Sequence, residues 1–367
     1  MYNNANKLDK LPEDFTFGLE LEFTGGLTAS ETEIIINDLI NKGYIRKGWS
    51  VHFDRSVIDE NGKGAEIVSP ILHDDMETKR ELEIITTIIK DNGGVMNEKA
   101  GGHIHYGLQC LGPDIKSIQN FLKLYTVFEP GCGNYAKPIQ RRLVSVVDSK
   151  IDSLTELVMR LEASVGANPD HYGMYRYYGL NFQRLIESIR NFPNDMSSEE
   201  VLQRLFSGEE VIGKNGKVLS PTVEIRYRNG SSNADEILSA VRMNGQMFVK
   251  ARDVDFDSDM IIKSMYRNIK NKKNKIFDRV VQSDRENPIY EGLSDEEILM
   301  KKFADSEYGD GIVTYNEFNE FISFLYPTMS LKDRIYLYVL YVGKLEATPS
   351  ITKDDKEIDN GYCMRAA

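Results

Sequence analysis

Between Phe15 and Phe23 the sequence FTFGLELEF alternates without a slip. Phe15, Phe17, Leu19, Leu21 and Phe23 share one parity, and Thr16, Gly18, Glu20 and Glu22 the other. A strand sends successive side chains to opposite faces. This one therefore has an apolar face to bury and a second face with two carboxylates about 7 Å apart along the strand. The same split recurs in WSVHFDRSV, AEIVSPIL, GGHIHYGLQC and SPTVEIRYRNGSS. In WSVHFDRSV it sets Trp49, Val51 and Phe53 against Ser50, His52 and Asp54. An antiparallel sheet packs one face on helices and leaves the other open. Four or five such strands predict an α+β chain in which an open face collects Glu20, Glu22, Glu66, His103, His105, Glu224, Arg226 and Arg228.

Helical periods fall between the strands. TGGLTASETEIIINDLINKGY carries a capping-box spacing at Ser30 and Glu33, then apolar residues at Ile34, Ile35, Leu39 and Ile40, with Gly43 as the stop. METKRELEIITTIIKDNGG reads as a second helix, and IKSIQNFLKLYTVF, IDSLTELVMRLEA, EEVLQRLF and ADEILSAVRMNGQMFVKARD as further ones. Beyond about residue 256 the chain is nearly all helical and shifts in composition, which predicts a domain of residues 1–255 and a helical region of 256–367.

The chain has 367 residues, enough for one large domain or two ordinary ones. Its net charge of −12 argues against nucleic-acid binding as the main role while leaving room for a local phosphate site. No run approaches the length of apolar residues that spans a membrane, and the polar start MYNNANKLDKLPEDF has no signal-like apolar stretch. Cys110, Cys132 and Cys363 are scattered and fit neither a disulfide framework nor a CxxC metal site. These features predict a soluble, cytoplasmic protein.

Each polar pair on the open face has an ordinary explanation. Two histidines on a strand face can simply be solvated, and Glu224, Arg226 and Arg228 can form an exposed ion-pair ladder. Together they say more. Carboxylates at this density repel one another unless cations lie among them. Oxygen-rich sites suit Mg²⁺ or Mn²⁺, which bridge the phosphates of a nucleotide. Arginine forks match phosphate oxygens and neutralise a transferring phosphoryl group. The residues alone thus point to a divalent-metal, phosphate-handling enzyme built on a sheet.

FGLELEF, the W…D.S of WSVHFDRSV, GAEIVSPIL, GGHIHYGL, YYGLNF and TVEIRYRNGSSN occur in an order that resembles the amidoligase family, carboxylate–amine ligases with a glutamine-synthetase-like fold. The resemblance runs from about residue 15 to 250. It implies a curved antiparallel sheet with helices behind it and a concave face for ATP and metal. It also implies that ATP phosphorylates a carboxylate and that an amine then attacks the acyl phosphate. Carried over, Glu20, Glu22, His103 and Glu224 would be metal ligands and Arg226 and Arg228 would meet the phosphates. Glu66 would join the metal or face the amine site, with Asp54 the other candidate for taking the amine's proton. His105, Arg141, Arg142, Arg176 and Asn181 would contact nucleotide or substrate. The acid and the amine are small molecules or peptides on this reading, and open sheets of this kind often assemble as homo-oligomers.

Two other readings stay open. One is a zinc hydrolase using His103 and His105 with Glu66 or Asp54, since imidazole suits zinc. The other is a binding protein that keeps the fold without the chemistry. The segment LSDEEILMKKFADSEYGDGIVTYNEF imitates a calcium loop at Asp310, Gly311, Val313 and Glu317. Tyr308 stands where a ligand is needed, so a helix–turn–helix with an acidic turn is expected there. The basic run KSMYRNIKNKKNK is expected to be a solvated helix face.

Overall fold

The computed structural model describes residues 8–96, 100–112, 114–132, 151, 153–164, 179–214, 216–253, 315–331, 333, 334 and 337. The strands are β1 (Phe17–Thr24), β2 (Ser50–His52), β3 (Gly64–Val68), β4 (Gly101–Gly107), β5 (Leu180–Asn181), β6 (Val211–Ile212), β7 (Val218–Leu219) and β8 (Thr222–Asn229). The helices are α1 (Ala29–Asn41), α2 (Met76–Asp91), α3 (Ile115–Cys132), α4 (Leu154–Ser164), α5 (Gln183–Asn191), α6 (Ser198–Ser207), α7 (Ala234–Asp253) and α8 (Tyr315–Leu325). One 3₁₀ turn, Leu108–Leu111, follows β4 directly.

Six strands form one open sheet in the order β2–β3–β1–β4–β8–β5, every neighbour antiparallel. The pairings carry the alternation of β1 across the sheet. Leu21 stands opposite Ile67 and Leu19 opposite Ile104, which in turn meets Ile225. All five are buried, as are Phe17, Phe23, Ala65, Tyr106 and Val223. This face packs on helices. The Tyr106 ring lies 4.6 Å from that of Phe248 on α7, and its hydroxyl donates to the Val241 carbonyl at 2.5 Å. The expected α+β architecture, an open antiparallel sheet with helices against its apolar face, is the one found.

Buried polar anchors tie the helices to the sheet. Arg242 on α7 forms a bidentate pair with Asp74, both bonds 2.8 Å, and Asp74 also accepts from the Leu11 amide at 3.0 Å. Glu81 on α2 accepts from the Trp49 indole at 3.0 Å and the Arg46 amide at 2.6 Å, holding the chain just ahead of β2. Helix α8 packs against α3 and α7, with Phe128 stacked 4.9 Å from Phe324 and 5.7 Å from Phe321. Phe321, Ile322 and Leu325 join the same buried cluster as the sheet. Most of residues 256–367, including the basic run and the calcium-loop imitation up to Thr314, lies outside the described residues.

Several local expectations shift. The capping box of α1 is Thr28 with Glu31, two residues before the Ser30/Glu33 pair that the spacing suggested. Strand β2 ends at His52, and Phe53, expected on the apolar face, is 70% exposed. The Asp54 side chain instead closes a turn, accepting from the Ser56 amide and hydroxyl. Cys110 is buried, and burial pushes its thiol up to about 12, away from the reactive thiolate form. No helix among the described residues is long and apolar enough to cross a membrane.

Candidate functional site

The register that buries one face assembles the other. Glu20 stands opposite His103, Glu22 opposite Glu66, and His105 opposite Glu224. Glu22, His103, His105 and Glu224 are buried, although all four are polar. Gly101 sits at the head of β4 for a steric reason: a Cβ there would lie 2.4 Å from His103 Nε2 and 3.1 Å from Glu22 Oε2. Its amide donates to Glu22 Oε2 at 2.6 Å.

Glu20 is the hub. Its Oε2 lies 3.0 Å from His103 Nδ1, which must be the donor because an ionised carboxylate only accepts. Its Oε1 lies 3.2 Å from Arg184 Nη2 and 2.8 Å from His105 Nε2. Burial pushes this carboxyl up, but the hydrogen bond from His103 and the adjacent His105 imidazole outweigh it, and Glu20 titrates far below the usual carboxylate range. Burial works the other way on His103 and pushes it down. The bond to Glu20 and the charges of Glu224 and Glu22, each 3.7 Å from Nδ1, overcome that effect and the opposing field of Arg226, so His103 ends above its ordinary value.

Glu224 Oε2 accepts from Asn181 Nδ2 at 2.7 Å, and its Oε1 is held by Arg226 Nη1. Asn181, expected at nucleotide or substrate, thus orients a carboxylate of the cluster. The Glu66 carboxyl has no hydrogen bond among the described residues. Burial and the charges of Glu20 and Glu22 push its carboxyl up to about 7, where it can hold or release a proton near neutrality.

His105 differs from the rest. Its Nε2 is close to Glu20 Oε1 but too far off line for a hydrogen bond, and both ring nitrogens lack a hydrogen-bond partner. A buried imidazole left in this state among carboxylates is costly. Ligand atoms of Glu20, His105 and Glu224 all lie within 4.8 Å of one another. That donor set, two carboxylates and one unpartnered imidazole, fits a divalent cation. The sequence assigned the ligand role to His103 and a nucleotide contact to His105. The group whose ligand atoms meet within that span contains His105, and His103 lies beside it, hydrogen-bonded to Glu20.

Strand β8 departs from strict alternation. Ile104 pairs with Ile225 but Gly102 pairs with Arg228, so Arg226 and Tyr227 together oppose His103 in a β-bulge. The parity that placed Arg228 in one row with Glu224 and Arg226 does not continue through the bulge. The side chain of Arg228, and all of Arg141, Arg142 and Arg176, lie outside the described residues.

Arg184 escaped the sequence reading. It is 164 residues from the Glu20 it binds, so no local pattern reveals the contact. One signal was available. Arg184 lies in the first turn of α5, where the helix dipole disfavours a cation, so another partner has to hold it there.

Comparisons with known proteins bear on this site. The family model described as "Putative amidoligase enzyme" matches residues 13–248, which contain every residue named at the site. A solved structure described as "Crystal structure of novel glutamine synthase homolog" is similar at 10% identity over 79% of this chain and 70% of that chain, with a TM-score of 0.31. The sequence has no match among curated proteins.

Proposed function

The chain belongs to the family of amidoligase enzymes, a ligase family, and from that premise we propose that it joins a carboxylate to an amine at the expense of ATP. The reading rests on one observation above all. Glu20, His105 and Glu224 bring their ligand atoms together on the open face, with Arg226 on Glu224 and both nitrogens of His105 unpartnered.

Glu20, His105 and Glu224 would hold Mg²⁺ or Mn²⁺, with Glu22 and His103 beside them. When bound, such an ion neutralises charge on nucleotide phosphates. Arg226 is placed to share the charge of the transferring phosphoryl group, and Asn181 keeps Glu224 aimed. In the first step a substrate carboxylate oxygen bonds to the γ-phosphorus as the bond to the ADP oxygen breaks. In the second, the amine nitrogen bonds to the acyl carbon, the carbon–oxygen bond to phosphate breaks, and the amine's proton passes to a base. Glu66, titrating near neutrality one strand away from the hub, is the best placed acceptor. Arg142, Arg176 and Arg228 remain proposed contacts to nucleotide or phosphate.

The test is incubation with ATP, Mg²⁺ or Mn²⁺ and panels of acids and amines, with ADP, phosphate and amide product followed by mass spectrometry. Glu20→Gln and Glu224→Gln should abolish product while the fold is kept. No turnover across a broad panel, together with no nucleotide binding, would sink the proposal. A zinc hydrolase is the second reading, favoured by the imidazole in the cluster. Tightly bound zinc with ATP-independent hydrolysis would establish it instead.

A further inference from the structure

The two ends of the open face carry opposite charge. Toward β2 and β3 lie Glu66, paired across to Glu22, and Asp54. Toward β5 lie Arg226 and then Arg184. At this second end a cleft of about 320 Å³ opens between α5 and the β6–β7 hairpin, and Arg184 forms part of its wall. Arg184 also reaches Glu20 through its guanidinium, so one residue links the cleft wall to the carboxylate cluster.

The cleft is held in shape by backbone contacts. Lys214 donates its amide to the Asn191 carbonyl at 2.8 Å, and Gly213 donates to Lys217 at 2.8 Å. A Cβ at Gly213 would meet Leu219 Cδ2 at 2.8 Å and the Asn191 carbonyl oxygen at 3.0 Å, so only glycine lets the hairpin approach the helix end this closely. At about 30 Å³ per water the volume equals roughly ten waters, the space of an amino acid or a small dipeptide.

Its chemistry selects an anion. Arg184 and Lys217 supply two positive charges, and Ser188, Asn191 and Ser220 line the wall with them. The one carboxylate, Glu187, already accepts from Gln183 Nε2 at 2.8 Å. Among the described residues Arg184 uses one donor on Glu20, which leaves most of its fork available. Lys217 has no ion-pair partner among the described residues. With two cations to one carboxylate, the lining favours an anion over an ammonium.

We propose that the cleft walled by Arg184 and Lys217 binds the carboxylate substrate, of amino-acid or dipeptide size, and that the amine arrives from the opposite, acidic end near Glu66. The inference rests on the ligase reading for the word substrate, but the binding stands or falls alone.

The test is saturation-transfer NMR on the full chain with Mg²⁺, using L-glutamate, succinate, glycylglycine and ADP as probes. The proteins are wild type, Lys217→Met and Arg184→Gln, and Mn²⁺ affinity is measured on each in parallel. At least one carboxylate should bind to wild type and weaken fivefold or more in both variants, with Mn²⁺ binding unchanged in Lys217→Met. Three results overturn the proposal: no carboxylate probe binds, a probe binds equally well to Lys217→Met, or only ADP binds and weakens, which would make the cleft a nucleotide phosphate site. Carboxylate binding without turnover of any kind would leave the cleft assignment standing and count against the ligase.

Discussion

Glu66→Gln should make the ligand-free protein more stable, and only above a particular pH. Glu66 is pushed from 4.5 up to about 7 by burial and by Glu20 and Glu22, with no hydrogen bond to offset the repulsion. Below the unfolded value near 4.5 both folded and unfolded chains carry the proton, and the group contributes nothing. Between 4.5 and about 7 the unfolded chain releases a proton that the folded protein keeps, so the wild type loses stability as pH rises. Above about 7 the loss is complete. At roughly 1.4 kcal/mol per tenfold the gap caps the effect at about 3 kcal/mol. Partial exposure of the carboxyl screens it to roughly 1–2 kcal/mol. Urea unfolding in the presence of a chelator measures this directly. Near pH 8 the glutamine variant should gain that amount, and near pH 4 it should match wild type. Mn²⁺ should shrink the gain by neutralising the face. A variant that is equally or less stable than wild type near pH 8, or whose gain is the same at both pH values, refutes the electrostatic account of Glu66.

Other perturbations address separate parts of the structure. Gly101→Ala should weaken divalent-cation binding and cost about 1–3 kcal/mol by overpacking, because its Cβ collides with His103; unchanged binding by calorimetry would show that the contact is not needed. Asp74→Ala should cost about 3–5 kcal/mol in thermal or urea unfolding, since it removes the bidentate carboxylate partner of the buried Arg242 guanidinium; a loss below about 1 kcal/mol contradicts that. Thr28→Ala should cost about 1 kcal/mol through loss of the α1 cap, while Ser30→Ala stays within about 0.5 kcal/mol; the reverse order would restore the spacing-based cap.

The sheet and most of its open face were legible because period-two alternation is local. Eight residues of β1 are enough to separate Leu19 and Leu21 from Glu20 and Glu22, and HIH and EIR repeat the separation. Pairing then only has to respect faces, because a slip by one residue would turn every carboxylate onto the apolar face that packs on the helices. What escaped is nonlocal or irregular. The bulge at Arg226 and Tyr227 adds one residue without any mark in composition, and it ends the parity that grouped Arg228 with Glu224. Strand β2 stops at His52 because Asp54 closes a turn, so the aromatic Phe53 misled the pattern. The capping register of α1 was ambiguous because Thr28/Glu31 and Ser30/Glu33 both satisfy the spacing, and only backbone geometry chooses. The Arg184–Glu20 and Asp74–Arg242 pairs join residues more than 160 positions apart, and local sequence pattern does not say which partner each will meet.

The central claim is that the Glu20/His105/Glu224 group is a cation centre serving nucleotide chemistry. Calorimetric titration of Mn²⁺ into wild type and Glu224→Gln, each with and without a non-hydrolysable ATP analogue, tests it most directly. Wild type should bind Mn²⁺, bind it more tightly with the analogue present, and lose at least about tenfold in affinity on Glu224→Gln. Wild type that binds neither Mn²⁺ nor the analogue, or a variant that binds both as wild type does, would contradict it.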